Sequence, residues 1–434
     1  MSMSSAEKPQ PAANVSDGGS SFMKPKLNRN KSTMDNLDEL FVGPRALDHH
    51  SKWPIFLRLH GSITPEMAMP LLFVGAWSTA ITCISKLVHD LGINQLLLTV
   101  LGFVVGLALS FRSSTAYERY NEGRKYWAQL ALASQNLARL IWVHVDEREG
   151  ELAKKDLLAK VNCINLIHAF AVAVKHKLRF EPFADYDDLR PLVQHLETYA
   201  NDSQSPFSNK EKSIWKKTGE FLGVPMAESN PRKLIKRADK PLGNLPLEIL
   251  NHLNAYMKSV FNNGTFEISI CQAQSLNAIT TMNDVYVGTD RILNTPLPIA
   301  YSIAIGQITW VYILLLPFQL FKSLGWVTIP ASIFAAYIIL GIALIGREIE
   351  NPFGDDVNDL DLDAFCDQIR RDIDIITSRP APNVDDFTTR EDNALLYPLS
   401  YLGYQSWGDK SLEEIRKALR SKPDHTFRSS REEQ

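Results

Sequence analysis

Disulfide and metal chemistry have little to work with in this chain. Its 434 residues carry four cysteines, Cys83, Cys163, Cys271 and Cys366, scattered without CxxC or comparable spacing. Neither a disulfide frame nor a zinc site is indicated, and Cys83 reads as a small apolar residue within a hydrophobic run. The usual enzyme signatures are missing too: no HExxH pair, no phosphate-cradling glycine loop and no nucleophile elbow occur. The expectation is a protein that is not an enzyme and has no required cofactor. No secretory leader is visible either, because the first thirty residues are rich in Ser, Pro and Asn and lack an apolar run. Insertion into a membrane is then expected to start from the first hydrophobic segment.

Charge is the most informative absence. Residues 67–85, 91–111, 292–321 and 323–346 contain no Asp, Glu, Lys or Arg. Each run exceeds the roughly 18 apolar-dominated residues that a helix needs to cross a hydrocarbon core. An open sheet cannot sit in lipid with unpaired edges, so the fold class is all-α: a multi-pass membrane protein with four transmembrane helices in two hairpins. The spans are expected at about 67–88, 91–111, 297–321 and 324–346. Bulk composition conceals them, since the whole chain is 22% charged with a mean hydropathy of -0.13.

The hairpin connectors are short, one around His89 and Asp90, the other around Lys322 and Ser323. Basic residues crowd the other span ends, including Arg112, Arg119, Arg124, Lys125, Arg291 and Arg347. The positive-inside rule then puts both termini and the long middle on the cytoplasmic side. Residues 1–50 read as a disordered tail. Amphipathic helical patterns follow the second span over 116–145 and again over 151–177. A proline-bearing stretch at about 201–245 reads as a mobile insertion within a cytosolic helical region spanning 112–296. Helix returns from Pro246 into the third span. Residues 378–434 form a C-terminal tail in which Ser411-Leu-Glu-Glu414 opens a short helix with a capping box.

The exit of the second span is the most specific stretch: Ser110-Phe-Arg-Ser-Ser-Thr-Ala-Tyr-Glu-Arg-Tyr-Asn-Glu-Gly-Arg-Lys-Tyr-Trp127. Three others stand in register with it. Arg58-Leu-His-Gly-Ser62 precedes the first span, Asn294-Thr-Pro-Leu-Pro-Ile-Ala-Tyr301 enters the third, and Ile349-Glu-Asn-Pro-Phe-Gly-Asp-Asp-Val-Asn-Asp-Leu360 leaves the fourth. Together they resemble the bestrophin family of pentameric ion channels, in its fungal, plant and bacterial branch, over a channel domain at 51–377.

That resemblance implies a homopentamer whose second span lines a central pore. Phe103, Leu107 and Phe111 stand at i, i+4 and i+8 on one helix face, and read by themselves such a stripe is lipid-facing or packing surface. The resemblance aligns them with the hydrophobic neck of the family, where stacked apolar rings gate by dewetting. It likewise places Ile270 at a cytosolic aperture. Arg112, next to Phe111, is a candidate for inner-mouth electrostatics, and Gly102 and Gly106 have the GxxxG spacing of closely packed membrane helices.

The acidic stretch after the fourth span matches the calcium-binding region of animal bestrophins, with Glu348, Asn351, Asp356 and Asp359 at the matching positions. Val357 and Asn358 interrupt its acidic run. Calcium is therefore the one metal implied, and a plain helix N-terminus is the competing reading.

The function expected is passive conduction of small anions, chloride first, by a channel in the cell membrane or an organelle membrane. Cation selectivity on the same fold is one alternative. A transporter or regulatory subunit is the other, although the spans hold no charge and few polar residues, which fits a transporter poorly.

Overall fold

The structure is a computed structural model and describes residues 61–93, 95–181, 183–202 and 243–432. The N-terminal tail, Arg58 to His60 of the first motif and nearly all of the 201–245 insertion lie outside the described residues. Among those described, regular structure is entirely helical. In chain order the helices are α1 (Thr64–Leu87), α2 (Gln95–His144), α3 (Glu151–Leu178), α4 (Arg190–Val193), α5 (Tyr199–Asp202), α6 (Leu245–Asn262), α7 (Ser269–Asn294), α8 (Ile299–Leu324), α9 (Thr328–Glu348), α10 (Leu362–Thr377), α11 (Val384–Thr388), α12 (Tyr404–Gly408) and α13 (Leu412–Glu432).

Two layers result. In the apolar layer α1, the start of α2, α8 and α9 pack side by side. Met67 and Val74 of α1 meet Ile313 of α8 and Ala336 and Leu340 of α9, while Val105 and Leu109 of α2 meet Ile305. Trp77 Nε1 donates to the Leu314 carbonyl at 3.0 Å, and Phe73 stands edge-on to Trp310. Ser78, Thr82, Thr328 and Ser332 are fully buried, as expected where small residues let membrane helices approach. An added Cβ at Gly102 would crowd the Tyr312 ring, whereas Gly106 has open space around it. Only the first glycine of that pair serves contact within the protomer.

Helix α2 departs from the expected segmentation. The second span and the amphipathic stretch at 116–145 form one unbroken helix of 50 residues. The stretch between them contains neither proline nor a paired glycine that would bend it. The second hairpin also turns later than expected. Lys322 and Ser323 lie inside the last turn of α8, and the reversal occurs at Gly325–Val327, where Gly325 takes a φ of 54° that favours glycine. Asn263 to Ile268 divides the expected continuous helix after Pro246 into α6 and α7.

Helix α3 is also long and apolar enough to cross a bilayer. However, 61% of its most apolar window is buried within the protomer, against 22–28% for the other candidates. Its apolar residues are consumed by packing against protein. It forms the centre of the polar layer, where Ile164, Ile167 and Phe170 pack with Leu130, Leu137 and Ile141 of α2, Leu253 and Met257 of α6, Met282 of α7, and Ile369 of α10. The reciprocal capping box at Ser411 forms, with Ser411 N donating to Glu414 Oε2 at 2.9 Å and Glu414 N to Ser411 Oγ at 3.3 Å, and the helix it opens runs to Glu432.

Leu137→Ala should lower stability by about 2–5 kcal/mol, because the fully buried site cannot collapse. Leu152→Ala, on an exposed part of α3, should change it by no more than about 0.5 kcal/mol. Thermal melts of the detergent-purified protein check both; equal effects would contradict the packing described.

Candidate functional site

Phe103, Leu107 and Phe111 fall on one face of α2 and are 73%, 47% and 58% exposed on the protomer. The intervening Val105 and Leu109 are buried against α8. A membrane helix that packs one face on its own protomer thus leaves the three-residue stripe for lipid or for other copies. The stripe does not end with the apolar layer. Ser114, Glu118, Asn121 and Lys125 continue it at helical spacing, and a cavity of about 480 Å³ opens beside Glu118, Asn121, Glu122, Lys125, Tyr126 and Gln129.

Arg112 takes another direction. Its side chain is mostly buried, with Nη2 3.8 Å from Glu350 Oε2. Directly after Phe111 and again about two turns below it, α2 is locked onto the rest of the protomer through Arg112 and Arg119. Arg119 donates from Nε to the Glu350 carbonyl at 3.0 Å, from Nη2 to the Ile292 carbonyl at 2.5 Å, and from Nη1 to the Thr295 carbonyl. Glu350 Oε1 accepts from Leu297 N at 3.2 Å. A helix C-terminus leaves carbonyls without intrahelical partners, and this guanidinium satisfies those of α7 and of the chain leaving α9 together. Sequence reasoning placed Arg119 among the positive charges near a span but missed this role, because its partners are backbone atoms distant in the chain.

Ile270 begins the exposed face of α7 and is 67% exposed. Helices α2 and α7 lie alongside one another, so Ile270 sits near the far end of α2, where Asp146 N donates to the Thr265 carbonyl at 2.8 Å. The apolar stripe and Ile270 therefore mark opposite ends of the α2–α7 pair.

The acidic loop is largely occupied by its own surroundings. Asp355 and Asp363 each meet Arg179 at 2.9 Å, and Asp363 also meets Lys175 Nζ at 2.6 Å. Asp361 is the N-cap of α10, accepting from Ala364 N at 2.9 Å, and Asp359 Oδ2 accepts from Asp356 N at 2.9 Å. Gly354 lies so close to Asp359 that a Cβ there would collide with its carboxylate. Of the candidate calcium ligands, Glu348, Asp356 and Asp359 form no group spaced to hold a metal, and none is found elsewhere among the described residues. No functional step is routed through calcium here. Burial lifts the Asp359 carboxyl to about 6; Asp356, Glu348 and Asp355 add to the rise and the Asp356 N–H opposes it. His168 is half-buried on α3, where burial and then Arg370 push it below its usual value, as befits a neutral packed imidazole.

Residues 44–375 match the family model described as Bacterial/Fungal Bestrophin protein. The voltage-dependent anion channel-forming protein of Synechocystis sp. is 33% identical over 326 residues, covering 75% of this chain and 92% of its own length. Its counterpart YneE of Escherichia coli is 27% identical over 316 residues, covering 72% and 88%. The crystal structure of a bacterial bestrophin homologue from Klebsiella pneumoniae shares the fold, with a TM-score of 0.53 at 23% identity over 72% of this chain and 99% of that one.

Asp359 generates a pH prediction. A carboxyl whose folded value exceeds its unfolded value of about 3.9 opposes folding when ionised. The cost is full above about pH 6 and fades as pH falls towards 4. Asp359→Asn should therefore stabilise the protein at pH 7.5, by on the order of 1 kcal/mol once solvent screening of this half-exposed carboxyl is allowed for, with little gain near pH 4. Melting temperatures across that range test it, and a gain independent of pH would refute it.

Proposed function

The chain belongs to the bestrophin family, in the branch described for bacteria and fungi, and on that premise we propose that it forms a passive anion channel in a membrane. The family consists of channels rather than enzymes, and the relatives cited are named as anion channel-forming. In this reading five copies surround an axis, the stripe of Phe103, Leu107 and Phe111 forms the neck, and Ile270 forms the aperture at the other end of the passage. Chloride is the principal ion, the cell membrane is the host, and both termini lie in the cytoplasm with the 112–296 region.

One observation carries the proposal: α2 packs its Val105 and Leu109 side on α8 but leaves exposed an apolar face that holds this stripe together with Val100 and Val104, and continues it without a break into a polar face. Stacked apolar rings hold water poorly when narrow and wet abruptly when widened. The positive edges of the phenylalanine rings suit a weakly hydrated anion. Arg112, paired with Glu350, contributes to the inner mouth chiefly by holding the end of the neck in place. Glu118, exposed on the same face below Phe111, favours the alternative of cation selectivity, while Lys125 on that face opposes it.

Purified protein in a planar bilayer under a KCl gradient should reverse near the chloride equilibrium potential. Reversal near the potassium value would overturn the selectivity, and the absence of conductance would overturn the channel itself. Replacing Phe103, Leu107 and Phe111 together by Ala should wet the neck and raise the open probability several-fold in single-channel records. Unaltered gating would mean that the stripe faces lipid.

A further inference from the structure

We propose that the groove between α2 and α7 is a binding site for a small organic carboxylate. Its placement within the ion passage rests on the channel reading above; its chemistry does not. The groove encloses about 650 Å³ and is lined by Gln129, Asn136 and Arg139 of α2 and by Gln274, Asn277 and Thr281 of α7, over an apolar floor of Ala133, Leu140 and Ala278. No acidic residue lines it. Arg139 Nη2 donates to Asn136 Oδ1 at 2.6 Å, and Arg139 forms no ion pair among the described residues. A surface that joins a guanidinium to amide and hydroxyl groups, with no competing carboxylate, is suited to an anion. The planar fork of arginine favours a carboxylate over a spherical ion. The volume lies within the ~300–1,000 Å³ typical of small-molecule sites, far more than one chloride fills.

Helix geometry places the groove. Arg139 follows Leu107 by 32 residues, about nine turns of one continuous helix, which returns it to the face of Leu107. Gln129, Leu132 and Asn136 fall on that face as well. On α7, Gln274, Asn277 and Thr281 continue the face that Ile270 begins. The groove thus sits where the face of the neck and the face of the aperture converge, and a carboxylate held there would stand in the route of permeating chloride.

The test is calorimetric titration of the full-length protein in detergent with succinate in low-chloride buffer, joined to bilayer recording. Wild type should bind succinate saturably. Arg139→Gln should weaken binding at least tenfold, Arg139→Lys should restore part of it, and Asn277→Asp, which sets a negative charge in the groove, should also weaken it at least tenfold. Both positions are exposed, so folding is expected to survive, and thermal melts verify it. In bilayers, succinate should reduce the chloride current of wild type and leave that of Arg139→Gln unchanged. No saturable binding by wild type, or binding unaltered in Arg139→Gln and Asn277→Asp, overturns the site even if the protein conducts chloride. Binding lost in the variants without any effect of succinate on current overturns the placement in the passage. If wild type carries no current at all, the channel reading fails, and the calorimetry still decides the groove.

Discussion

A backbone inside hydrocarbon must satisfy its own hydrogen bonds, and helix is the form that does so within one segment. In this protein α2 keeps that form long after the apolar layer ends, running 50 residues from Gln95 to His144. At about 1.5 Å per residue it is a rod of roughly 75 Å, and both layers are assembled against it. Above, α8 and α9 pack on its buried side; below, α3, α7 and α10 do the same. The two layers are joined where Arg119 gathers the carbonyls of Ile292, Thr295 and Glu350. Buried or half-buried backbone oxygens at helix ends need partners, and a guanidinium carries enough donors to serve three of them at once. A shift of α2 at this level would be felt by the end of α7 and by the exit of α9 together.

The rod also explains why one face can change chemistry along its length without changing direction. Between Phe103 and Phe111 the outward face is apolar; from Ser114 onward it is mixed and polar. Glu122 pairs with Arg291 of α7, so part of the acidity of this face is answered by the neighbouring helix. Farther along, the α2–α7 groove has lost its carboxylates altogether and keeps Arg139. The face thus passes from oily to charge-balanced to electropositive, an order compatible with an anion that must first shed water and then be drawn on.

The acidic loop is tied into the fold by its own carboxylates. Of the five aspartates within nine residues, four already answer a local need in the fold. Arg179, just past α3, holds Asp355 and Asp363, Lys175 of α3 also holds Asp363, Asp361 caps α10, and Asp359 closes the loop on itself. Phe353, fully buried against Gly123 of α2, anchors the loop from its apolar side. Its job in this protomer is to attach the exit of α9 to the centre of the polar layer.

What the chain alone determined follows from short-range physics. Four charge-free runs dictated helices in lipid, the i, i+4, i+8 spacing put Phe103, Leu107 and Phe111 on one face, and Ser411 with Glu414 specified a cap. These are properties of neighbours in sequence and are legible there. Only the tertiary structure decided that Arg112 turns inward to Glu350 while Arg119 clamps three distant carbonyls, and that Arg139 shares a groove with Asn277. Each of these depends on residues more than a hundred positions apart, or on which side of a helix its partners cover, and no local pattern of residue types encodes that.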